Sequence, residues 1–115
     1  MNKLEKKQKI ICSKFKSPFK DCDLSSKVGI SQKAYDGEQP IHGMRVNGRN
    51  NTSGWFLWSG EWSEDDDFFM PLHTSHLIDR CPMVLPYLGL DDGWRFLLTD
   101  TYEDVWYDPD LFEED

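Results

Sequence analysis

The chain has 115 residues, 38% hydrophobic and 14% aromatic, with a formal net charge of −8 at pH 7. That length suits one domain able to bury a modest core without disulfide staples. No apolar run approaches the roughly 18 residues of a membrane span, and Ile10-Ile11-Cys12 is too short a core for a secretory signal, so the sequence predicts a cytoplasmic protein with no membrane partner.

Charge is unevenly spread. Residues 1–33 carry nine lysines against Glu5, Asp21 and Asp23, whereas residues 34–115 carry Arg45, Arg49, Arg80 and Arg95 against eighteen acids, a balance of −14. A field of that sign repels nucleic acid and attracts basic partners. Residues 1–20 read as a lysine-rich arm or short helix, with a weak apolar stripe at Leu4, Ile10 and Ile11 and Pro18 closing it. Residues 21–115, without repeat or linker, read as a single domain. The three cysteines, Cys12, Cys22 and Cys81, are odd in number and match no zinc spacing. They predict reduced, partly buried thiols.

Along the chain, residues 22–28 alternate loosely and are a candidate strand, and Asp36-Gly37 is a turn signal. Ile41–Val46 alternates at period two, which predicts a strand with one apolar face. Asn47-Gly48 and Asn50-Asn51 are turn chemistry. Beyond them lies the stretch around which the rest is organised, Ser53–His76, with three of the five tryptophans. The aromatic run Trp55–Trp58 is too short between glycines for a helix and predicts a strand at 54–59, paired with 41–46 as an antiparallel hairpin. A turn at Ser59-Gly60 and an acidic loop at 61–67 follow. From about residue 71 the apolar spacing predicts helix over 72–80, Pro71 suiting a first turn, then a short helical piece at 82–87 and a stop at Gly89. Trp94–Thr99 and Glu103–Asp108 predict a closing hairpin, and Leu111–Asp115 an acidic tail. The sum is an α+β domain. It has a mainly antiparallel sheet of four to five strands, with a helical segment (about 71–87) inserted before the last hairpin and packed on one face.

Four pieces stand together and in order: Thr52–Glu61 (TSGWFLWSGE), Asp67–His73 (DFFMPLH), Pro86-Tyr87-Leu88, and Gly93-Trp94-Arg95-Phe96 through Tyr102–Asp108 (YEDVWYD). With Cys22 and Ser25 ahead of them, they resemble the bacterial immunity-protein family of polymorphic toxin systems, over about residues 22–111. The resemblance implies a protein that protects a bacterium by binding a toxin made by itself or its kin. It brings no assigned active-site residues.

Candidate chemistry is sparse. His73 and His76, three residues apart on the expected helix, could share a metal, but the glutamate of a zincin motif is absent. Glu64-Asp65-Asp66-Asp67 lacks the alternating ligands of a calcium loop. No nucleophile with its base and no phosphate loop is present, so no catalytic residue, metal or cofactor is assigned. Exposed tryptophan ringed by acids is instead the anatomy of a protein-binding hot spot. The reading is therefore a non-enzymatic inhibitor of a cognate protein toxin, a basic nuclease among the candidates, acting through Trp58, Glu61, Trp62, Glu64, Asp65, Asp66, Asp67, Glu103 and Asp104. The alternative is a small ligand- or metal-binding domain or enzyme using His73, His76 and nearby carboxylates. An aromatic sheet face would serve a homodimer equally well, so monomer and homodimer both stay open.

Overall fold

The computed structural model describes residues 3–47 and 52–112, and within them one sheet of six strands carries the fold. In chain order the strands are β1 (Lys27–Ser31), β2 (Ile41–Arg45), β3 (Thr52–Ser59), β4 (Phe69–His73), β5 (Trp94–Leu98) and β6 (Glu103–Tyr107). Their spatial order is β4-β1-β3-β2-β5-β6. The two expected hairpins form: Ile41 pairs with Ser59 and Arg45 with Trp55 across β2–β3, and Trp94 pairs with Tyr107 across β5–β6. One contact is parallel, β1 on β3, so the sheet is mixed. Helices are α1 (Lys3–Phe15), α2 (Gln32–Tyr35) and α3 (Leu77–Arg80), with 3-10 turns at Thr74–His76, Pro82–Tyr87 and Pro109–Phe112. The expected turn residues Gly48, Asn50 and Asn51, and the end of the acidic tail at 113–115, lie outside the described residues.

The helical segment of the sequence reading begins later than expected. Phe69–His73 is a strand, paired antiparallel with β1 from Ser31↔Phe69 to Lys27↔His73. Pro71 suits either assignment, because an edge strand tolerates a missing N–H as readily as a first helical turn does. Partner backbone decided it: β1 offers five residues to pair with. The chain then turns helical at Thr74, whose N–H and hydroxyl both donate to the Ser26 carbonyl. Pro82 and Pro86 keep the following segment to short 3-10 turns rather than one helix.

The helices cover one side of the sheet. Cys12 of α1, Ala34 of α2, Leu77 of α3, and Val84, Leu88 and Leu90 pack onto Val28, Ile30, Ile41, Trp55, Leu57, Phe96, Leu98 and Val105. On β2 the face taken into the core is Ile41, Gly43 and Arg45, not the more apolar-looking His42, Met44 and Val46. Gly43 explains part of this. A Cβ there would lie 2.3 Å from Phe96 Cζ, so glycine lets that ring lie flat across the middle of the sheet.

Arg45 explains the rest. It is 2% exposed, and its guanidinium is saturated with backbone acceptors. Nη1 donates to the carbonyls of Lys20 (2.8 Å), Leu88 (3.1 Å) and Leu90 (2.7 Å), Nη2 to Asp21 (2.8 Å), and Nε to Ser53 (3.1 Å). One side chain thereby joins the segment after α1, the turn before β5 and the start of β3. Trp55 adds a parallel tie, its indole N–H donating to the Leu88 carbonyl at 3.0 Å.

The lysine-rich lead is a helix docked on this core. Gln8 and Cys12, one turn apart, are buried, with Ile11 and Phe15 packed beside them. Gln8 Nε2 donates to Leu85 O at 3.0 Å and Cys12 Sγ to Gly89 O at 3.2 Å. Ile10, read from sequence as part of the apolar stripe, is 58% exposed. The polar Gln8 takes an inward place that a hydrophobicity pattern does not assign. All three cysteines are buried and free. No helix among the described residues is long and apolar enough to cross a membrane.

Candidate partner-binding surface

The other side of the sheet carries none of these helices. In-register partners share a face, so the pairing places Pro71, Gly29, Phe56, Met44, Arg95 and Trp106 in one row across all six strands. The neighbouring row holds Trp58, His42, Leu97 and Asp104. Met44, Phe56, Phe69, Leu97 and Trp106 are half-buried and stand outside the core cluster. They form a second, aromatic layer with no helix of the described residues over it.

Ring contacts hold this layer together. His42 stacks on Trp58 with centroids 5.0 Å apart and planes 6° from parallel. Trp62 meets Trp58 edge-on at 5.0 Å and Phe69 at 5.4 Å, and Phe68 meets Phe69 at 4.8 Å. Arg95 lies over both Trp58 and Trp106, at 5.9 and 5.7 Å, while Nη1 donates to Asp108 Oδ2 at 3.0 Å. Burial, and then the Arg95 charge, hold His42 below the usual imidazole range.

Beside this layer, β3 does something the sequence pattern did not disclose. Its register against β1 jumps from Lys27↔Thr52 to Gly29↔Phe56, so β3 bulges, and Gly54 takes φ +89° within the bulge. Phe56 then lies over Gly29, where a Cβ would come within 2.7 Å of its ring. The result is an apolar depression of about 300 Å³ bordered by Gly29, Val46, Thr52, Phe56, Phe69 and Pro71.

The nine residues expected to bind a partner do not form one patch. Glu61, Trp62, Glu64, Asp65, Asp66 and Asp67 are exposed on the loop that closes over the end of the aromatic layer, Trp62 at 49%. None of the loop acids has an ion-pair partner among the described residues. Asp104 is exposed on the same face, in the His42–Leu97 row. Trp58, by contrast, is only 4% exposed, lying beneath Trp62 and His42. It supports the surface rather than presenting itself. Glu103 alternates with Asp104 and turns to the helical side, accepting from Lys14 Nζ at 2.6 Å and from the Tyr87 hydroxyl. Those two donors hold its carboxyl below the usual range, and burial pushes the Tyr87 hydroxyl well up. Glu103 thus fastens α1 to the sheet.

Met44, Phe56, Phe69 and Leu97 were not among the partner-binding residues expected from the sequence. The signal was present in part: with Trp55 and Leu57 facing one way, Phe56 and Trp58 had to face the other. His73 and His76 are exposed, with ring centroids 5.9 Å apart, and no group of three or more metal-ligating side chains gathers among the described residues.

With this geometry in view, the chain matches the Imm33-like domain family over residues 7–108. It belongs to that family. This is an immunity-protein family of polymorphic toxin systems. The match begins inside α1, ahead of the stretch over which the resemblance was read from the sequence, so most of the docked helix is part of the family's domain. No curated relative and no solved structure matches the chain.

Proposed function

We propose that this Imm33-like protein neutralises a cognate bacterial toxin by binding it directly in the cytoplasm, without chemistry of its own. The observation that carries the reading is the loop at 61–67. It holds five exposed carboxylates with no ion-pair partner among the described residues, beside the half-exposed indole of Trp62. An unpaired acidic loop costs self-repulsion within the free protein, a cost that a cationic partner relieves. A toxin that acts on nucleic acid has such a surface, which makes a basic nuclease the favoured partner. Membership of an immunity-protein family supports the neutralising role independently of charge, whatever the toxin's own activity.

Survival tests it. A candidate toxin from a neighbouring gene is expressed alone and together with this chain, and the pair is then purified by a tag on one partner. Rescue of growth with a stoichiometric complex is the expected result. Rescue without any complex would replace direct binding with an indirect route, and no rescue would remove the neutralising role.

A further inference from the structure

We infer that the toxin docks on the helix-free face of the sheet, with an apolar side chain seated in the depression over Gly29 and lysines or arginines around it meeting the 61–67 loop. This rests on the neutralising role just proposed and adds to it the place and the chemistry of contact. Several observations converge. The face is apolar and aromatic, yet α1, α2, α3 and the Pro82–Tyr87 turn all pack on the opposite side. Its row from Pro71 through Phe56, Met44 and Arg95 to Trp106 crosses the whole sheet, so the area offered is wide rather than a single cleft. Phe69 touches both parts of the proposed site: it borders the depression, and its ring packs against Trp62 of the acidic loop. An occupant of the depression therefore lies next to the carboxylates.

The chemistry of that occupant follows. A depression of about 300 Å³ walled by Val46, Phe56, Phe69 and Pro71 suits one leucine- to tryptophan-sized side chain. The loop acids Glu61, Glu64, Asp65, Asp66 and Asp67 supply negative potential beside its Phe69 edge, and Asp104 adds to it from the far β6 edge of the same face, while Lys27 borders the depression itself. Apolar centre and charged rim is the arrangement in which buried contacts set the dissociation rate and rim charges set the association rate. The open face carries Lys27 and Arg95, whereas five exposed lysines, Lys3, Lys6, Lys7, Lys9 and Lys14, gather along α1. A cationic partner is thus repelled from the helical side and drawn to the open one.

The test measures binding of a catalytically inactivated candidate toxin from a neighbouring gene to the full chain, with rates read by surface plasmon resonance. Met44→Asp puts a charge in the middle of the apolar row and is expected to weaken affinity about 100-fold, chiefly through faster dissociation. Asp65→Lys with Asp66→Lys is expected to slow association about tenfold and to flatten its salt dependence. Ile10→Asp, on the exposed face of α1, is expected to change neither. Should Met44→Asp fail to fold, Met44→Gln carries the same test without the charge. A wild-type complex that Met44→Asp leaves within twofold, while Ile10→Asp loosens it, would overturn the assignment and move the toxin to the helical side. A wild-type chain that sediments as a dimer, and as a monomer after Met44→Asp, would also overturn it, giving the face to a second copy. Absence of any wild-type complex would instead sink the neutralising role on which the inference rests.

Discussion

Arg45 shows how much of a small fold can hang on one residue. Its side chain is the shared donor for five backbone carbonyls from three segments distant in sequence. Burial disfavours its charge, so the charge persists through those acceptors and Asp92, whose Oδ1 lies 3.7 Å from Nε. Arg45→Met would leave the carbonyls buried without donors, at a cost of about 3–5 kcal/mol. That is a large part of the stability such a domain has. Arg45→Lys should recover only part of it, because an ammonium cannot reach along a planar fork. Urea unfolding of the three proteins would show the order wild type, Lys, Met; equal midpoints would refute the role. His42 makes a second prediction at this scale. Its folded pKa lies below the ordinary 6.5, so the unfolded chain takes up the proton first as pH falls. The neutral ring's contribution to stability is therefore complete above pH 6.5, declines as pH drops below it, and levels off beneath the folded pKa. A His42→Gln variant should lose that slope, which stability measured from pH 7.5 to 5 would reveal.

Two elements owe their geometry to left-handed residues that are not equivalent. Gly54 at φ +89° lets β3 bulge against β1 and so opens the depression, while Lys16 at φ 65° ends α1 with Ser17 N–H donating to Cys12 O. Glycine suits the first site, whereas lysine bears a steric cost of about 1–2 kcal/mol at the second. Gly54→Ala should therefore destabilise the domain and Lys16→Gly stabilise it by about 1 kcal/mol. Thermal melts of both variants would check the signs, and a stabilising Gly54→Ala would contradict the bulge. The elements also show what sequence can disclose. The 41–46 and 54–59 hairpin and the closing hairpin were legible because both strands of each are near neighbours, with turn chemistry or an alternating pattern to mark them. β4 was not legible. Phe68, Phe69 and Leu72 fit a helical period, and only β1, some forty residues earlier in the chain, makes Phe69–His73 a strand. At the candidate site the acidic loop could be read directly, as solvated charge always can. The burial of Trp58 and the turn of Glu103 to the helical side were not legible, because they depend on Trp62 in one case and on Lys14 and Tyr87 in the other. Both are tertiary contacts that leave no periodic trace.

At the scale of the whole molecule, a basic helix on one side and an acidic rim on the other make the protein electrically lopsided. A lopsided charge orients an approaching cationic partner before contact, so the encounter is steered rather than random. The association rate with the toxin should fall steeply with ionic strength, by about tenfold or more between 20 and 200 mM salt, while the dissociation rate stays nearly constant. A flat salt profile with tight binding would mean that the rim takes no part in capture. Truncating α1 would not isolate this effect, since Gln8, Cys12 and Lys14 fasten the helix to the core and to Glu103. Reversing charges at exposed Lys6 and Lys7 would isolate it, leaving the fold intact and reducing the steering.

The three cysteines make the protein its own reporter. Cys12 lies in α1, Cys22 in the stretch leading to β1, and Cys81 where α3 gives way to the Pro82 turn. Each cysteine is at most 6% exposed, and burial pushes all three thiols upward, Cys81 to about 11. A disulfide reagent such as Ellman's therefore meets no reactive thiolate until the local structure opens. Single-cysteine versions would act as three separate clocks, each timing the opening of one segment under native conditions. Should the Cys12 clock run ahead of the other two, α1 lifts from the core as a unit while the sheet stays closed.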